Sequence, residues 1–218
     1  KATYPHVKSL LIECLPLAIY SLLTNFIVTV PRLLMESLLG NYKLGIYGSI
    51  ATPTVIVQML SSYIFNPYIT VFAECYNRGD KQGFVNSVKK CLLAFAAISA
   101  LAIIGTIVLG KMVLNLLYGE KVSAFNELLL PLILISIFVA LNWLLCGVLT
   151  VIRSFKLIIG ANVVAVFISA VLSYFLEIRY DMQGANMAVI IAMVLETILL
   201  LSGMMFNIKD KFINKNKA

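Results

Sequence analysis

Charge is what this sequence lacks. Only 12% of its 218 residues are Asp, Glu, Lys or Arg, against about 25% in ordinary soluble domains. Histidine is almost missing as well: His6 stands by itself ahead of the first apolar run. The four cysteines, Cys14, Cys75, Cys91 and Cys146, show no paired spacing, which argues against a zinc site and a disulfide framework. Cys14, Cys91 and Cys146 read as small apolar fillers, and Cys75 as the end of a span. No glycine loop suited to phosphates, no carboxylate cluster at metal-ligand spacing and no nucleophile–base pair can be found. The sequence therefore predicts a protein that is not an enzyme and needs no cofactor or metal. Its net charge of +7 would suit a nucleic acid, but the cations are spread over loops and a tail, where they meet lipid head groups. No nucleic-acid partner is expected.

What the chain has instead is long apolar runs. Hydrophobic residues make up 61% of it, and six stretches are each long enough to cross a bilayer, which takes about 20 helical residues. They are Leu10–Leu39, Ile46–Phe72, Cys91–Leu109, Leu128–Ile152, Leu157–Leu176 and Ala185–Phe206. Six spans put both termini on one side. Lys1, Lys8, Arg78, Lys81, Lys89, Lys90, Arg153, Lys156 and the basic tail share that side, leaving Arg32, Lys43, Lys111, Lys121 and Arg179 for the other. By the positive-inside rule the termini are cytoplasmic. The fold class expected is all-α: a polytopic membrane protein over residues 1–218, with one six-helix bundle and no soluble domain. Kinks are expected at Pro31, Pro53 and Pro67, a turn at Asn77-Arg78-Gly79-Asp80, and a close hairpin of spans four and five around Arg153–Lys156. Met112 to Tyr118 reads as a separate interfacial piece, and Glu177 to Gln183 as a loop.

Polar groups at membrane depth are costly, so their positions carry information. Ser21, Asn25, Thr29, Arg32 and Glu36 fall within a sector of about 80° at helical spacing. Such a stripe faces protein or water. Arg32 and Glu36 are expected to pair as i,i+4 neighbours; the other reading ends the helix near Pro31 and leaves both in the head-group zone. Span two offers Thr54, Gln58, Ser61, Ser62 and Asn66, either facing substrate or bridging helices. Span four carries Asn142, Cys146, Thr150 and Arg153 on one face, with Arg153 either in that face or snorkelling. Trp143, beside it, is expected to fill the core. Glu196 stands isolated in span six as a candidate for proton or cation coupling, and Glu13 reads as interfacial. Substrate contacts are expected from Arg32, Glu36, Asn25, Gln58, Asn66, Asn142 and Arg153.

One resemblance ties these features together. Leu15-Pro16-Leu17, Pro31-Arg32-Leu33-Leu34, Leu39-Gly40 and Leu44-Gly45-Ile46-Tyr47 resemble one helix, and the start of the next, in polysaccharide-export flippases, relatives of the multidrug and toxin extruders. Asn66-Pro67, Asn77-Arg78-Gly79-Asp80-Lys81 and the stretch Asn162 to Ala188 are similar to later elements of that family, in the same order. Pro31 stands where the family carries an acid before its arginine, which leaves Glu36 as the substitute partner. The resemblance implies one bundle of a two-bundle transporter, read here as the C-terminal half of a longer flippase or a half-size dimer. It implies an undecaprenyl-pyrophosphate-linked oligosaccharide as substrate, membrane lipids as surroundings, and a bacterial plasma membrane as location. A cation-coupled drug extruder and a membrane scaffold of cell-envelope assembly are the competing readings.

Overall fold

The computed structural model describes the backbone of residues 4–215 and the side chains of residues 15 and 18–206; Glu13, Cys14 and Pro16 lie outside the described side chains. All regular structure among these residues is helical: α1 (Tyr4–Leu39), α2 (Asn41–Ala51), α3 (Val55–Arg78), α4 (Lys81–Tyr118), α5 (Glu120–Ser123), α6 (Leu129–Val151), α7 (Phe155–Tyr180) and α8 (Met182–Lys215). Six of the segments are long and apolar enough to cross a membrane: Ala18–Leu39, Asn41–Arg78, Lys81–Tyr118, Asn126–Val151, Phe155–Tyr180 and Met182–Phe206. The chain is thus an all-α bundle consistent with six membrane spans.

Prolines act differently at each site. Helix α1 continues through Pro31 to Leu39, so the helix does not end there. At Pro53, where an amide is missing, a single 3-10 turn at Thr52–Thr54 divides α2 from α3. Pro67 sits inside an unbroken α3. The turns are short. Gly79, at φ 73°, closes α3 in the left-handed conformation that glycine tolerates. Asp80 then caps α4, its carboxylate accepting from the Gly83 amide at 2.8 Å. Met112 to Tyr118 is no separate piece, because α4 runs unbroken for 38 residues. The expected loop at Glu177 to Gln183 contracts to one residue, Asp181, between α7 and α8. Lys43 and Asp181 form an ion pair that clips the start of α2 to this turn.

The helices group into two triplets. One is α1, α7 and α8; the other is α3, α4 and α6; the broad contact between them is α6 against α8. The predicted hairpin of spans four and five is therefore corrected: the turn is tight, but α6 and α7 diverge from it to different triplets. Antiparallel succession in sequence does not force side-by-side packing when a later helix fits the groove better. Two apolar cores result. One gathers Ile27, Met35, Tyr47, Leu132 and Met193 toward the end opposite the termini. The other gathers Phe65, Phe72, Phe84, Leu145 and Ile158 toward the terminal end.

Candidate functional site

Between these cores lies a buried polar cluster. Glu196 sits fourteen residues into α8, about 21 Å along its axis from Met182, and is 0% exposed. Its Oε2 accepts from Asn142 Nδ2 on α6 at 2.8 Å, and the Thr197 hydroxyl donates to Asn142 Oδ1 at 2.7 Å. The amide of Asn142 thus spans the seam between the triplets with both of its ends engaged. Glu196 Oε1 has no hydrogen-bond partner. The neighbouring helices extend the cluster. The Thr24 hydroxyl on α1 donates to Asn162 Oδ1 on α7 at 2.8 Å, and Asn162 Nδ2 donates back to the Ile158 carbonyl at 2.9 Å. The Cys146 thiol lies between Tyr20 and Asn162. Seven polar side chains from four helices therefore meet in mid-bundle, with one carboxyl oxygen, Glu196 Oε1, left without a hydrogen-bond partner.

A second buried group lies nearer the end opposite the termini. Glu177 on α7 is 0% exposed and neither of its oxygens has a hydrogen-bond partner. Ser173 adjoins it one turn earlier. The Tyr47 hydroxyl donates to Asn186 Oδ1 at 2.8 Å, while Asn186 Nδ2 is unsatisfied. Arg32 covers the face of Tyr47, its guanidinium carbon 5.9 Å from the ring centroid, within cation–π range. Its Nε is buried and unbonded. Unmet polar atoms of both signs thus flank one tyrosine ring. A desolvated group without a partner costs about 1–3 kcal/mol, so such atoms are expected where a site trades stability for binding.

The structure distributes the predicted residues over three environments. Asn142 and Glu196, predicted separately, are brought into direct contact. Arg32 is half-buried over Tyr47, whereas Asn25, Thr29 and Glu36 lie exposed on the flank of α1. The stripe therefore points out of the packed bundle, not into it. No Arg32–Glu36 ion pair forms among the described residues, because Arg32 is drawn over the ring while Glu36 stays outside. Gln58 donates to Ser136 on α6 at 3.3 Å, and Ser136 in turn donates to Thr54 at 2.9 Å; this is helix bridging. Asn66 is exposed on α3. Arg153 falls beyond the end of α6, exposed, in the turn at φ 54°, so it leaves the face shared by Asn142 and Cys146. Trp143 is 37% exposed and does not fill the core.

Several residues escaped the sequence reading. Thr24 lies one position from Asn25, on the face that packs. On α7, Asn162, Ser169, Ser173 and Glu177 are all fully buried, spaced by seven, four and four within a sector of about 80°. That periodicity was there to find. Placing Glu177 in a loop hid it.

Comparison with known proteins gives this arrangement a context. A family model described as polysaccharide biosynthesis protein matches residues 1–127. The capsular polysaccharide biosynthesis protein CapF of Staphylococcus aureus is 26% identical over 190 residues, covering 85% of this chain and 47% of the relative. The chain thus spans about half the length of that curated relative. No solved structure matches it.

Proposed function

Because this chain belongs to the polysaccharide biosynthesis protein family, we propose that it forms one bundle of a flippase that moves a lipid-linked oligosaccharide across the plasma membrane. The observation that carries this reading is the flank of α1. Ser21, Asn25, Thr29 and Glu36 are exposed there within a membrane span, beside the half-buried Arg32. Hydrocarbon does not solvate such a stripe, so it borders water or a second bundle. A cavity walled by this flank has what a pyrophosphate-linked glycan needs: a cation for phosphate and amide and hydroxyl groups for sugar, with apolar edges that leave a polyprenyl tail in lipid. The second bundle is either the rest of a longer polypeptide or another copy.

Alternating access then amounts to rocking of two bundles around the cavity. The Glu196–Asn142 contact lies where the two triplets meet, so loading its free oxygen with a proton or cation would bias their arrangement. Arginine on the cavity flank favours an anionic cargo over the cationic drugs of an extruder. The termini are cytoplasmic on this reading, following the distribution of lysine and arginine.

The test is complementation. A strain lacking its own copy of the full-length gene should accumulate lipid-linked oligosaccharide on the cytoplasmic side and lose surface polymer, and the gene should restore both. If lipid-linked oligosaccharide reaches the outer surface at the parental rate without the gene, the flippase reading is wrong.

A further inference from the structure

The seam between the two triplets is open along one side. Helix α1 packs on α7, α8 and α2 but makes no broad contact with α3, so the first two spans separate beyond Arg32 and Tyr47 and leave a groove. Helix α6 floors it. One face of α6 carries Asn142, bonded to Glu196 on α8, and Cys146, which lies against Tyr20 on α1. A second face carries Ser136, bonded to Gln58 on α3 and to Thr54 just before it, and Gly147, whose Cβ would stand 3.8 Å from Ile69 on α3. At helical spacing Trp143 falls between these two faces. It therefore looks into the groove, with α1 on one side and α3 on the other.

Both walls are polar. The α1 wall is the exposed flank of Ser21, Asn25 and Thr29, turned this way because Arg32 of the same stripe reaches Tyr47 on α2. On α3, Asn66 and Thr70 are exposed and Ser62 is half-buried, at spacings of four. They lie on the far side of the Gln58–Ile69 face from Val57 and Leu60, which turn toward α4. The pairs Ser136–Gln58 and Gly147–Ile69 hold α3 and α6 parallel and in constant register, which sets Ser62 and Asn66 level with Trp143. Trp143, the one tryptophan of the sequence, stands fourteen residues into α6, about 21 Å along its axis. That is mid-span, away from the head-group zone where tryptophan anchors membrane helices. Among the described residues neither its indole N–H nor the Asn66 side chain has a hydrogen-bond partner. Hydrocarbon supplies none, so the two unmet groups call for a polar occupant.

We propose that Trp143 is a stacking platform for a pyranose ring of the transported glycan, with Ser62 and Asn66 bonding hydroxyls at the edge of that ring. A pyranose carries C–H groups on its faces and hydroxyls around its rim, so one face seats on the indole while the rim meets the walls. The wall groups level with Trp143 are uncharged, which suits a neutral sugar and leaves the phosphate to Arg32. A polyprenyl or acyl chain in the same place would leave the indole N–H and the Asn66 amide unmet. The inference rests on the transport reading and names the part of the cargo that this groove holds.

The experiment measures binding of two probes to the full-length protein in detergent. One is the lipid-linked oligosaccharide extracted from a strain lacking the gene; the other is polyprenyl pyrophosphate without sugar. Trp143→Ala should weaken binding of the first by about tenfold, the order of one aromatic stacking contact, and leave binding of the second unchanged. Trp143→Phe keeps a ring and should lose less. Parental affinity of Trp143→Ala for the oligosaccharide lipid overturns the proposal while the transport reading stands. Equal weakening for both probes makes Trp143 a contact of the lipid chain or of the packing, and overturns it too. A parent protein that binds neither probe removes the transport reading itself, and this proposal with it. Should Trp143→Ala not fold, Trp143→Leu, which keeps apolar bulk without a ring face, decides by the same comparison.

Discussion

Arg32 shows how little a side chain's type reveals before its neighbours are known. As the cation of the polar flank it is the residue best suited to grip phosphate, since its planar fork binds two oxygens together. In the packed bundle it leans on Tyr47 instead. Arg32→Ala should lower substrate affinity about tenfold to hundredfold, the consequence of losing a charge-assisted contact of about 1.5–3 kcal/mol. Arg32→Lys should lose less. Binding of lipid-linked oligosaccharide by the purified variants, at matched protein levels, checks both; wild-type affinity in Arg32→Ala would reduce the residue to a cap on the tyrosine. Glu196 calls for a different pair of substitutions. Glu196→Gln keeps an acceptor for Asn142 and should leave folding intact while abolishing any dependence of transport on a proton or sodium gradient. Glu196→Leu should cost stability as well, by about 1–3 kcal/mol, because Asn142 Nδ2 is left unmet in the interior. Gradient-dependent uptake and thermal unfolding separate the two effects.

Among the elements, α7 and α8 are joined most closely. Gly184 begins the packing: a Cβ there would run into the backbone carbonyl of Leu176, which cannot yield as a side-chain tip can. Gly184→Ala should therefore destabilise the bundle by at least about 1–3 kcal/mol, the usual cost of forcing extra volume into a packed interior. A clear drop in thermal midpoint in detergent is expected, and Gly160→Ala, whose added methyl meets nothing within 4 Å, is the control. Element existence was legible in the sequence because hydropathy alone marks a span. Element ends were less so. Glu177, Arg179 and Asp181 looked like a solvated loop, yet α7 extends past the first two, and Glu177 turns inward on the face that Asn162 begins. Charge density misled because it does not say which way a helical residue points.

For the whole molecule, the order of spans was readable and their partners were not. Which helix packs on which depends on shape, and α6 chose α8 over its neighbour in sequence. The Asn142–Glu196 contact was invisible for that reason, although both residues stood out individually. Topology remains directly testable. A cysteine at Asp80 should be labelled by an impermeant reagent from the cytoplasmic side and one at Asp181 from the opposite side. Labelling of both from one side would remove the six-span arrangement.

The one-residue connection at Asp181 has a mechanical consequence. With Gly184 seated against Leu176 and Lys43 clipped to the turn, α7 and α8 have no slack between them; a twist applied to either is handed to the other. The divergence of α6 from α7 beyond the turn at Ser154 leaves the opposite situation there. If the bundle yields under load, its fault line runs between α6 and α8, through the polar contact of Asn142, and α7 with α8 travels as a single lever.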